Sequence, residues 1–146
     1  MMPLLPALRK LFAKRPPTAA EPAAAEVLDA AGWQARRSAL LARVGKARWD
    51  DPDPAVRRGR VEWVTQEILA VMVHTDPDRS VRLNACRWIM DRAVLAEIAQ
   101  QDESPEVRDV ATRYLTKLDA MAPDEIARIQ ERWETRRKRM RESSTR

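Results

Sequence analysis

One cysteine, one histidine and three glycines are all that this 146-residue chain holds of the residues that most often build disulfides, metal centres and phosphate loops. Cys86 alone cannot form an intrachain disulfide, and with His74 as the sole histidine the common structural zinc sites are excluded. Gly32, Gly45 and Gly59 stand in no phosphate-cradling pattern. No run of about 18 apolar residues is present, so no segment is expected to span a membrane. The opening "MMPLLPALRKLFAKRPP" has neither the uninterrupted apolar stretch nor the cleavage pattern of a secretory signal, and the expected location is the cytoplasm. His74 has no serine or cysteine in its sequence context, and acidic pairs such as Asp50 and Asp51 are placed for turns and caps. No enzymatic motif, metal site or cofactor is therefore expected.

What the chain does have is 45% hydrophobic and 34% charged residues, rich in Ala, Leu, Glu and Arg, a mixture that favours an all-α fold. Its net charge of +5 is unevenly placed. Residues 1–17 carry Arg9, Lys10, Lys14 and Arg15 with no acid, and residues 131–146 carry seven basic and three acidic side chains. Each end is thus +4, and the middle of the chain is −3.

In residues 1–25, Leu4, Leu8, Leu11 and Phe12 fall on one helical face, with Arg9 and Lys10 between them and Lys14 and Arg15 just after, ahead of the linker "PPTAAEPAAAE". A helix this short is marginal in water, so the segment is expected to be a docking motif that folds on a partner. A helix is expected over about 26–49, with Trp33, Leu40, Leu41 and Val44 on its inner face and its first turns weakened by Gly32.

Three stretches then repeat one another: "DPDPAVRRGRVEW" from Asp51, "DPDRSVRLNACRW" from Asp76 and "DESPEVRDVATRY" from Asp102. In each, Asp53, Asp78 or Ser104 stands where a helix N-cap is needed, and Pro54 and Pro105 take the first helical position. Val56, Val81 and Val107 begin an inner face at i, i+4, i+7, i+8 that includes Trp63, Trp88 and Tyr114. Cys86 falls where Val61 and Thr112 stand in the sister copies, so it is expected to be a small half-buried helix residue and not a reactive thiol. A second, shorter apolar segment follows, "ILAVMVHTD" matching "VLAEIAQQD". The unit is helix, tight turn, shorter helix, Asp-rich turn, and such units bury their apolar stripes by stacking.

The acid precedes the arginine by six residues in every copy: Asp51 and Arg57, Asp76 and Arg82, Asp102 and Arg108. Each guanidinium is within reach of its own copy's carboxylate or a neighbour's, in a geometry that allows two parallel hydrogen bonds. With this Asp–Arg relation the stretch 51–118 resembles the HEAT-like helical repeats, in the short-period, leucine-rich-variant form found in bacterial tandem repeats. The resemblance implies a short α-solenoid of helix pairs over 26–122, with repeats near 51–75, 76–101 and 102–118. It also implies that the six residues form a structural ladder. The iron–sulfur cluster that some leucine-rich-variant proteins hold on N-terminal cysteines has no ligands here.

The stretch 123–146 reads as a capping helix with a basic tail. Pro123, Asp124 and Glu125 open it, Ile126, Ile129, Trp133 and Met140 form its stripe, and its first half is expected to cap the last copy. The leading expectation of function is a non-catalytic, monomeric protein-binding adaptor or assembly factor. Its contact face would be the short helices, through Val71, His74, Glu97 and Gln100. The alternative is weak, non-specific nucleic-acid binding through Arg136, Arg137, Lys138, Arg139 and Arg141. No aromatic residue other than Trp133 lies near these bases to stack a nucleotide.

Overall fold

Asp and Ser side chains start the helices of the three copies. Asp53 accepts from the Ala55 N–H (2.9 Å), Asp78 from the Ser80 N–H (2.8 Å) and Ser104 from the Val107 N–H (3.5 Å). At Asp78 the Ser80 hydroxyl, with the backbone N–H groups of Val81 and Ser80, holds the carboxyl below its ordinary pKa. Thr65 and Asp91 cap the shorter helices in the same way. A computed structural model describes residues 28–44 and 48–144. Leu4, Leu8, Leu11, Phe12 and Gly45 lie outside the described residues.

The described residues form seven α-helices and no strand: α1 (Ala30–Val44), α2 (Pro54–Arg60), α3 (Gln66–Thr75), α4 (Arg79–Cys86), α5 (Arg92–Gln101), α6 (Pro105–Ala120) and α7 (Pro123–Ser144). A 3₁₀ turn, Val61–Trp63, prolongs α2, and another, Arg48–Asp50, precedes it. No helix among these residues is long and apolar enough to cross a membrane. Helix α4 packs between α2 and α6, and α3 packs between α1 and α5, so two rows form. Tight hairpins join α3 to α4 and α5 to α6 across the rows.

The core lies between the rows. Leu69, Met72 and Leu95 from one side meet Val81, Ala85 and Val107 from the other, all fully buried. Each of the larger side chains contributes about 1.5–3 kcal/mol by leaving water. Cys86 is fully buried in this core, deeper than its sequence position suggested, and burial pushes its thiol up to about 12. Its thiolate is inaccessible.

Helix α1 is shorter than the periodicity of 26–49 predicted. Asp29 receives the Gly32 N–H at 2.8 Å and caps it, so Gly32 sits inside the first turn. Trp33 and Leu40 are buried, but Val44, placed on the inner face by its spacing, is 49% exposed. Trp49 is the largest side chain with no exposure at all, and it comes from the 3₁₀ turn after α1, not from α1 itself.

Helix α7 reaches further than the last copy. Its Ile129 lines a pocket with Tyr114 and Leu118 of that copy, and the helix then runs back to the first. The Trp133 indole N–H donates to the carbonyl of Glu62, 71 residues earlier. Trp133 is buried, Ile126 and Ile129 are half-buried, and Met140 is 42% exposed, outside the stripe assigned to it. Beyond Trp133 only Arg137 is half-buried, and the other side chains as far as Ser143 are exposed.

Candidate binding surface

The repeated arginines form a directional chain of ion pairs. Arg57 sends Nε and Nη2 to the two carboxylate oxygens of Asp76 (2.8 and 3.1 Å) and Nη1 back to the carbonyls of Asp51 and Pro52. Arg82 does the same with Asp102 (3.1 and 3.4 Å) and the carbonyl of Asp76 (2.9 Å). Each guanidinium thus takes the following copy's carboxylate and its own copy's backbone. The pairs are nearly dry, with the Asp76 side chain 1% exposed and that of Arg82 7%. The hydrogen bond to Asp76 outweighs burial and raises the Arg57 pKa above its ordinary value. Asp51, Asp76 and Asp102 also take the N–H two residues on, at 2.9 Å each. Arg108 donates to the Asp102 carbonyl at 2.6 Å, and among the described residues no following carboxylate meets it. These six side chains are occupied with one another and with the backbone, which leaves them little to offer a ligand.

The face expected on the short helices is largely covered. Val71 is fully buried, and His74 lies flat beneath Trp33 of α1, ring centroids 3.7 Å apart and planes 7° apart. The sequence could not show that α1 joins this row and roofs it. Glu97 is half-buried with a carboxylate oxygen 3.3 Å from His74 Nε2, and only Gln100 is exposed. Of the four residues, two belong to the interior.

The basic tail divides as well. The Arg136 guanidinium lies over the Trp63 ring at 4.4 Å, with one nitrogen 3.9 Å from the Glu62 carboxylate. Arg137 is half-buried over Trp133 at 5.2 Å, and this desolvation lowers its pKa. Lys138, Arg139 and Arg141 are exposed on the stretch of α7 beyond the rows. The five cations do not converge on one point.

Convergence occurs elsewhere, on the outer side of the α2/α4/α6 row. Two of the copies' aromatics meet α7, Trp63 carrying Arg136 and Trp88 lying 5.7 Å from Trp133, while Tyr114 carries Lys117 of its own helix. Under α7 a pocket of about 250 Å³ opens between Trp88, Met90, Tyr114, Leu118, Met121 and Ile129, with Arg87 and Lys117 at its rim. It continues into a groove of about 530 Å³ that crosses all three helices. Arg58, Arg87 and Arg113 line this groove, and no carboxylate lines either space. Arg58 is steadied by the Ser80 hydroxyl at 2.9 Å, and Asn84 ties the two helices by donating to the Arg58 carbonyl. Arg87 and Arg113 are exposed and have no ion-pair partner among the described residues. Both follow their copy's valine by six residues, a spacing separate from that of the Asp–Arg pairs.

An apolar pocket continuous with a cationic groove can seat a chain that carries both an apolar anchor and negative charge. Among the described residues no cluster of His, Cys, Asp or Glu is arranged to hold a metal ion. Comparison with protein-family models, with curated proteins and with solved structures found no match.

Proposed function

We propose that this chain is a non-catalytic protein-binding adaptor, built as a short HEAT-like solenoid, that takes an acidic segment of a partner along its α2/α4/α6 row. The observation that carries the reading is the shared wall: Arg87 and Tyr114 line both the apolar pocket and the arginine groove, so one bound segment can use both at once. Burying one large apolar side chain there supplies about 1.5–3 kcal/mol, and the arginines add steering and register by charge complementarity. Arginine's planar fork suits carboxylates better than lysine would. The two rows and the regular ion pairs fit a scaffold that presents a surface.

The test is affinity capture from the native host with nuclease present, followed by titration of the recovered partner against two variants. Arg87→Glu/Arg113→Glu reverses the groove, and Met121→Lys puts a charge into the pocket. Both should weaken the partner by tenfold or more while leaving the far-UV spectrum unchanged. Nucleic acid is the competing ligand. Capture that nuclease abolishes, with an affinity that falls steeply with salt and ignores Met121→Lys, would overturn the protein-binding reading.

A further inference from the structure

A second groove, of about 380 Å³, lies on the other row, between the start of α1 and the α3/α4 and α5/α6 hairpin turns. Its floor is apolar, made by Leu28, Trp33, Val73 and Ile98, and its rim carries Asp29, Glu97 and Glu103. Asp76 and Asp102 also border it, but these are matched by Arg57 and Arg82. Arg82 reaches Glu103 only at 3.5 Å, so the rim keeps an excess of negative charge.

His74 in this wall stands between two acceptors. Its Nδ1 is 2.7 Å from the Ala70 carbonyl and its Nε2 3.3 Å from the Glu97 carboxylate. The side chain is only 7% exposed. Glu97, half-buried beside it, keeps a carboxylate on the groove wall for a cation to meet.

We propose that this groove takes the chain's own N-terminal segment, residues 4–15. Leu4, Leu8, Leu11 and Phe12 supply four apolar side chains for the floor, and Arg9, Lys10, Lys14 and Arg15 supply cations for the acidic rim, Glu97 included. The chain arrives at the right place, because Leu28, the first described residue, itself lines the groove. The 15 residues between Phe12 and Leu28 span up to about 50 Å when extended, ample for the segment to fold back. Tethering places it at an effective concentration on the order of millimolar, so a weak intrinsic contact suffices. This contact lies on the opposite row from the arginine groove and does not depend on the adaptor reading.

The test is a disulfide trap in the full chain. Leu8→Cys/Gln101→Cys places one thiol in the segment and one at the exposed groove edge, and Leu8→Cys/Arg113→Cys is the control on the opposite row. Cys86, buried with its thiol at about 12, stays out of the exchange. With oxidised glutathione as the oxidant, the groove pair should close within single molecules at least tenfold faster than the control. Adding Lys10→Glu/Lys14→Glu should erase that advantage. Equal rates for the two pairs overturn the proposal, as do covalent dimers that grow with protein concentration. Gln34→Cys on α1 provides a second groove position, so a poorly folded Gln101 variant still leaves a decisive comparison.

Discussion

At their N-terminal ends, helices α2, α4 and α6 are joined to one another through buried arginine–aspartate pairs. Toward their C-terminal ends the same helices offer Trp63 and Trp88 to α7, which belongs to none of the three copies, and Tyr114 to the pocket beneath it. The first arrangement repeats because each unit supplies the acceptor for the unit before it. The second cannot repeat, since one helix must serve three different neighbours. Ion pairs with two parallel hydrogen bonds demand a fixed offset between helices, whereas aromatic faces accept a partner at varied angles, as the 43° tilt between Trp88 and Trp133 illustrates. Regularity at one end thus coexists with an irregular partner at the other.

Three substitutions set the ends against each other. Arg82→Ala should cost the most, about 4 kcal/mol, because it strands the buried Asp102 carboxylate and the Asp76 carbonyl. A denaturant midpoint equal to that of the unchanged chain would mean that the pair is not what holds α4 to α6. Trp133→Ala should cost about 3 kcal/mol, from lost burial and the vacated Glu62 carbonyl. Hydrogen exchange should show its loss of protection confined to α7. If the amides of α2 to α6 exchange equally faster, the two ends are not independent. Arg108→Ala is the smallest, about 1 kcal/mol, since that arginine has a carbonyl and no following carboxylate. A penalty for Arg108 matching that for Arg82 would erase the distinction between paired and terminal arginines.

Much of the fold was legible in the chain because local chemistry determines it. The N-caps at Asp53, Asp78 and Ser104 and the prolines behind two of them mark helix starts without reference to anything distant. The arginine spacing showed that pairs would form, yet not which way they run. A six-residue separation to one acid and about twenty to the next are equally reachable, and only the stacking offset decides. Val71 and His74 looked like surface because nothing in 26–49 says which row its helix will join. The arginine groove escaped notice for a similar reason: Arg58, Arg87 and Arg113 do not occupy one alignment column, and only packing brings them to one surface.

Helix α7 has a consequence for how this molecule can change over generations. The chain of ion pairs would accept a further unit of 25 or 26 residues, since Arg108 stands ready for another aspartate. The return helix would not. From Pro123 to Trp133 it rises about 15 Å, close to the two helix-to-helix steps of about 8–10 Å that separate the third unit from the first. One more unit would carry Glu62 out of reach of the indole. The arginines let the molecule grow, and the tryptophan measures it and stops it at three.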